Sequence, residues 1–222
     1  MVNVLTLDGK GVALAIAFGL LILFFGQGSG PFFLLVIVLF LALSAVVTRV
    51  GKGKKERLGI YEKSRGWQNV ISNGAVPLIV AAAYATDNWY LHLVPLSLVT
   101  IVYVASVCAV TADKFASEIG VLDGEPSMLL TARHVKKGVS GGVTAAGLAA
   151  SLIGSFLISL CVLFVGGGIG VATIVAVSGF FGGLVDSVLG YFEEHGVGNK
   201  YTSNFACSLA GAGICAALLA FL

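Results

Sequence analysis

Asp113, Glu118 and Asp186 are the residues of this chain best suited to chemistry. Carboxylates with few basic neighbours suit Mg²⁺, which takes oxygen ligands and leaves positions for water and substrate phosphates. Asp113 and Glu118 are five positions apart, so they need not share a helical face. They converge if their helix ends near Ala116. Asp186 lies in GFFGGLVDSVLG, among apolar and glycine residues, where a carboxylate is costly and usually serves a site. Downstream of Glu118 come Arg133, Lys136 and Lys137, then Gly138, Ser140, Gly141, Gly142 and Thr144. Glycines let the backbone curl around an anion, and a following helix presents unpaired N–H groups at its start. That order of elements favours phosphate, although no GxxxxGK[ST] loop is present.

The blander reading of each residue competes with this one. A basic loop with glycine turns is common on the inner side of membrane proteins. Asn73 and Ser203 suit ordinary helix ends, and Asp123 and Glu125 around Gly124 suit a solvated turn. His134, beside Arg133, is a weak phosphate candidate. His195, beside Glu193 and Glu194, suits a solvated loop better than a metal site. Cys108, Cys161, Cys207 and Cys215 lie in apolar segments without CxxC spacing and read as free core cysteines.

The surrounding chain decides where such a site can stand. Of 222 residues, 58% are hydrophobic and 11% charged, and mean hydropathy is +1.01. A soluble domain carries about 25% charged residues, so this inventory cannot cover a water-facing surface. An all-α polytopic transmembrane helical bundle follows, with residues 1–222 forming a single integral membrane domain. Thirty glycines fit closely packed membrane helices.

About seven segments are expected: Val12–Phe25, Phe32–Val47, Val70–Ala85, Leu93–Val110, Val143–Val165, Val171–Leu189 and Phe205–Leu222. The first is short and needs its flanks to span; a re-entrant arm is the alternative. No cleavage pattern follows it, so it is expected to be retained. Seven of the thirteen Lys and Arg residues fall between Arg49 and Arg65, making 49–68 a basic loop. This loop would attract anionic head groups or a nucleotide. Placing it in the cytoplasm puts the N-terminus and every basic residue on that side, as the positive-inside rule requires. The stretch Thr111–Thr144 then reads as a cytoplasmic catalytic loop. Arg65 and Asn69, four apart, would share one surface. Asn73 and Asn204 open segments at the same depth.

These elements in this order resemble the DUF92, or TMEM19, family of integral membrane proteins. Its Asp-Thr-x-Ala-Ser-Glu-x-Gly element reads Asp113-Lys114-Phe115-Ala116-Ser117-Glu118-Ile119-Gly120 here. Its Gly-Thr-x-Gly-Gly-Val-Thr element reads Gly138-Val139-Ser140-Gly141-Gly142-Val143-Thr144. Gly183, Asp186, Ser187 and Gly190 match Gly-x-x-Asp-Ser-x-x-Gly, and Arg65, Val70, Asn73 and Gly74 approximate an earlier element. The likeness spans about residues 50–222. Lys114 and Val139 stand where the family usually has Thr.

Plant members of the family include the phytyl-phosphate kinase of vitamin E synthesis. The resemblance therefore implies phosphoryl transfer from a nucleotide, apparently CTP, to an isoprenyl monophosphate. Asp113, Glu118 and Asp186 would hold Mg²⁺, with Lys136 assisting catalysis. Arg65, Asn73, Lys114, Ser117, Arg133, Lys137, Gly138, Ser140, Gly141, Gly142, Thr144, Ser187 and Asn204 would contact the phosphates. Expected partners are the isoprenyl phosphate, the nucleotide and membrane lipids, with homo-oligomerisation open and no nucleic acid. Lipid-phosphate cytidylyl transfer is the sibling chemistry. A small transporter or flippase is the reading from another class, disfavoured by outer helix halves almost free of ionisable residues.

Overall fold

The computed structural model describes residues 7–93 and 95–221. Eight helices follow in chain order: α1 (Gly9–Gly26), α2 (Gly30–Arg49), α3 (Lys52–Arg57), α4 (Trp67–Thr86), α5 (Leu96–Gly120), α6 (Ala145–Ser159), α7 (Ile169–Glu194) and α8 (Lys200–Ala220). All but the short α3 are apolar, and six stretches are long and apolar enough to cross a membrane. The first stretch, Gly9–Arg49, is α1 and α2 joined by the turn Gln27–Ser29. Gly19 lies against Leu34, so the two helices fold back on each other as a hairpin. At 1.5 Å per residue the 18 residues of α1 span about 27 Å, close to the thickness of a hydrocarbon core.

Local chemistry fixes the ends. The Asp8 carboxylate accepts the Gly11 N–H at 2.7 Å and starts α1. Pro31 occupies the first turn of α2, where its missing N–H costs nothing. Thr144 caps α6, and Asn199 with Thr202 forms a capping box for α8. Pro77 sits inside α4, so the Asn73 carbonyl four residues earlier loses its helical donor.

The axis of the bundle is α5, which packs on α2, α4, α6, α7 and α8. Its residues Tyr103 to Ala112 are all buried. Tyr103 stacks on Phe33 with ring centroids 4.1 Å apart, and its hydroxyl donates to the Phe33 carbonyl at 3.0 Å. On the other side small residues let backbones meet. A Cβ on Gly182 would lie 2.7 Å from that of Ala109 and 2.9 Å from the Gly211 Cα. The four cysteines are free and buried, as their apolar settings suggest.

Two expectations change here. The stretch 111–144 is not one loop: α5 runs on to Gly120, and only the remainder is irregular, closed by a short antiparallel pair of β1 (Ser127–Met128) and β2 (Gly142–Val143). Because the helix passes Ala116 without ending, Asp113 and Glu118 point about 140° apart around it. The basic stretch 49–68 is also not a loop throughout. It contains α3, and Lys55 within it is 1% exposed.

Candidate functional site

The polar helix ends gather at one end of the bundle: the starts of α1, α4, α6 and α8 and the ends of α2, α5 and α7. Every Lys and Arg of the sequence lies on these ends or their connections. Between them is a cavity of about 340 Å³. Asp113, Lys114 and Ser117 reach its lining from α5, Asp186 and Ser187 from α7, and Asn69 and Asn73 from α4. Asn204 and Lys200 of α8, Arg65, and the segment Gly138–Thr144 complete it.

The glycine pattern of α7 explains how the two aspartates meet. Gly179, Gly182, Gly183, Asp186 and Gly190 recur at three- and four-residue steps along one face. A Cβ on Gly183 would stand 3.1 Å from that of Ala112 and 3.3 Å from the Asp113 N, so α7 lies almost against the α5 backbone there. One turn further, Asp186 faces Asp113 with their side chains in hydrogen-bonding reach. The Asn204 amide, oriented to satisfy its neighbours, donates to Asp186 Oδ1 at 3.2 Å and to the Lys200 carbonyl at 3.1 Å. Its oxygen lies 3.1 Å from the Asn73 side-chain amide. Four helices thus contribute one connected polar group, Asp113, Asp186, Asn204 and Asn73.

Glu118 belongs elsewhere. It accepts from Thr48 Oγ1 at 2.9 Å, Lys55 Nζ at 2.6 Å, Arg65 Nη2 at 3.5 Å, and from Lys114 Nζ. Arg65 also pairs with Glu62 at 3.1 Å. The expected set of three metal-binding carboxylates is therefore not assembled. No group of three or more His, Cys, Asp or Glu able to hold a metal occurs among the described residues. The physical reason is the continuous α5 helix, which turns Glu118 away from Asp113 and towards α2 and α3.

The basic cluster also parts from the cavity. Arg133 and Lys136 are exposed and absent from the lining. Lys137 donates to the carbonyls of Val121, at 3.3 Å, and Asp123, closing the end of α5. The cations on the cavity wall are Arg65, Lys114 and Lys200. His134 pairs with Ser127 at 3.2 Å and His195 with the Tyr191 carbonyl at 2.7 Å; neither lines the cavity.

Gly138, Ser140, Gly141, Gly142 and Thr144 do line it, but their nearby donors are partly engaged. The Ser140 N–H donates to Glu194 Oε1 at 2.9 Å and its hydroxyl to Glu193 Oε2 at 2.7 Å. At the start of α6, Ala146 N–H donates to Asp123 Oδ2 at 3.1 Å and Gly147 N–H to Thr144 Oγ1 at 3.1 Å. The helix start expected to offer free amides thus uses two of them on its own caps. N–H donors from Gly124 first, then Ala146, hold the Asp123 carboxyl below its usual value. Glu193 and Glu194, which the sequence suggests for a solvated loop, are lining residues, as is Lys200. Their signal was position: they follow Asp186 by two helical turns or precede Asn204 by one.

The segment sits in place because two glycines touch. Gly141 has φ +78°, a left-handed conformation, and a Cβ there would lie 2.7 Å from the Ser187 carbonyl oxygen. A Cβ on Gly190 would lie 2.2 Å from the Gly141 N. Gly190→Ala should therefore lift the segment from α7. The expected result is protease cleavage within residues 135–143 at a rate at least about tenfold above the parent, with the helical circular dichroism unchanged. Equal cleavage rates would show that the glycine contact is not what fastens it.

A bundle of apolar, membrane-length helices enclosing a polar cavity at one end defines a polytopic integral membrane protein. Residues 1–218 match the family described as integral membrane protein DUF92, and the chain belongs to that family. It is 33% identical over 208 residues to an uncharacterized membrane protein of Methanocaldococcus jannaschii, covering 92% of this chain and 82% of that one. It is 30% identical to Protein PGR of Arabidopsis thaliana, covering 69% of this chain and 62% of the plant protein. With the chloroplastic Protein VTE6 of the same plant it shares 28% identity, over 72% of this chain and 48% of the relative. No solved structure matches the chain.

Proposed function

We propose that the cavity is the active site of a kinase that transfers a phosphoryl group from CTP, or another nucleotide, to an isoprenyl monophosphate at the cytoplasmic membrane face. The observation carrying this reading is Asp113 facing Asp186 inside a cavity that also presents Arg65, Lys114 and Lys200. The family resemblance, with its plant phytyl-phosphate kinase, supports the same chemistry.

The donor set fits Mg²⁺. Four carboxyls, Asp113, Asp186, Glu193 and Glu194, line the cavity beside three cations. Phosphates would be repelled from such a lining without a divalent ion. Mg²⁺ is commonly held by one or two carboxylates with substrate phosphates supplying the rest, so two facing aspartates suffice. When bound, the ion would offset the repulsion between Asp113 and Asp186 and draw phosphate oxygens to them. Asn204 would keep Asp186 oriented. Arg65, Lys114 and Lys200 would offset charge on the transferred group. Arg133 and Lys136, exposed, and Lys137, engaged at the end of α5, stand off the cavity wall, so the three lining cations suit phosphate contact better.

An ionised oxygen of the isoprenyl phosphate attacks the γ-phosphorus of CTP. The bond from that phosphorus to the β-bridging oxygen breaks, and CDP leaves with its electron pair. The acceptor is already deprotonated, so no strong general base is needed. Purified protein with CTP, Mg²⁺ and farnesyl or geranylgeranyl phosphate should yield the isoprenyl diphosphate and CDP. Release of pyrophosphate instead would mark cytidylyl transfer. Flux of lipid phosphate across sealed vesicles without nucleotide turnover would replace the kinase reading with transport.

A further inference from the structure

We propose that the apolar crevice between α1, α2 and α4 is the subsite for the single hydrocarbon chain of the lipid phosphate. The chemical identity of the head group rests on the kinase reading above; the chain subsite has its own observations. Phe18 and Ile22 of α1 face Ile37 and Leu41 of α2 across the crevice, and Gly74 of α4 closes its side. Its polar mouth is formed by Arg65, Asn69 and Asn73, which also line the large cavity. Phe40 lines both as well, so the two spaces adjoin across these four side chains. A lipid phosphate has this division of character: an anionic head for Arg65 and the two amides, and an apolar chain beyond them.

A second observation points to a ligand. Ser44 lines the crevice, is 4% exposed, and its Oγ has no hydrogen-bond partner. A buried hydroxyl in a helix normally finds a partner, often a carbonyl one turn back, and leaving it unpaired is unfavourable. The hydroxyl is available for an oxygen joining head to chain. Pro77 adds a backbone acceptor nearby by depriving the Asn73 carbonyl of its helical donor.

The crevice holds about 50 Å³, so a chain enters only as α1 moves outward. That helix packs chiefly against α2 and α4, while its start stays tied by the Asp8 N–H to the Arg65 carbonyl at 3.0 Å. A small outward movement of a helix tied at its start opens room for one slender chain before it opens room for two.

Binding of radiolabelled geranylgeranyl phosphate and of dimethylallyl phosphate to the purified full chain, without nucleotide, tests this. The parent should bind the long chain at least about tenfold more tightly, the scale of burying about two methylenes. Ala15→Phe, which fills the crevice, should abolish that preference and leave the short ligand unaffected, and dioleoyl phosphatidic acid should not displace the long one from the parent. Unchanged long-chain binding by Ala15→Phe, or displacement by the two-chain lipid, overturns the proposal. Should the variant fail to fold, the parent is photolabelled with geranylgeranyl phosphate carrying a diazirine on its chain. Adducts on Phe18, Ile22, Ile37 or Leu41 support the subsite. Adducts confined to the outward residues Ile16 and Leu20, or none, overturn it. Long-chain binding without diphosphate formation would leave the subsite standing while the kinase reading fell.

Discussion

Asp113→Asn and Asp186→Asn should each lower kcat by at least about 10²-fold, equivalent to about 2.7 kcal/mol of lost transition-state stabilisation. Asn keeps the size and hydrogen-bonding outline of Asp but loses the charge that would hold a cation. The two residues face each other from α5 and α7, so either change removes half of the same pair. The double variant should therefore be little worse than the worse single, as expected of groups acting as one unit. Stability should move the other way. Two carboxyls brought together away from water repel, and an amide in place of one relieves that repulsion while still bonding its neighbour. Thermal unfolding of either single variant in detergent should begin at or above the parent temperature. This pairing of lost turnover with retained stability separates a catalytic role from a structural one. Near-normal turnover in both variants would sink the metal-site proposal. Lower turnover with equally lowered stability would make the pair a packing feature.

Much of this arrangement is legible in the sequence because hydrophobicity and charge placement are strong signals in a membrane protein. The apolar blocks predict the seven long helices, and Asp113, Asp186, Asn73 and Asn204 stand where those blocks change character. Periodicity also gives the glycine face of α7. Helix boundaries were harder. Residues 111–120 look like a loop because they are polar, yet they continue α5, since a helix lining a polar cavity need not be apolar. The fate of Glu118 was out of reach for a different reason. Its partners Thr48, Lys55 and Arg65 lie 70, 63 and 53 residues away, and local spacing carries no sign of such pairings. The same limit hid Ser140 bonding to Glu193 and Glu194 from the far end of α7. Sequence spacing suggested an anion-binding glycine turn; tertiary contacts show that part of it already meets the chain's own carboxylates.

Glu118→Ala should cost about 3–5 kcal/mol of folding stability, the scale of breaking a buried ion pair by removing one partner. Lys55 is 1% exposed, and its ammonium also reaches the carbonyls of Thr48 at 3.2 Å and Val47 at 3.4 Å. Carbonyl dipoles alone do not compensate a charge held away from water. Arg65 and Lys114 would lose the same carboxylate, but Arg65 keeps Glu62 at 3.1 Å and both border the polar cavity, whereas Lys55 does not. The loss should therefore be carried mainly by Lys55, and Lys55→Met should restore much of the stability when added to Glu118→Ala. A double-mutant cycle by chemical unfolding in mixed micelles measures this coupling, expected at about 2–3 kcal/mol between the two sites. Additive effects, or a Glu118→Ala protein as stable as the parent, would show that Lys55 is effectively solvated. Glu118 also fixes Arg65 and Lys114 on the wall where a phosphate would approach. Its loss should thus weaken substrate binding as well as the fold, whereas the aspartate variants lose turnover in an intact bundle. These opposite signatures separate the two acidic centres: Glu118 holds Lys55, Arg65 and Lys114 in place, whereas Asp113 and Asp186 face each other at the cavity wall.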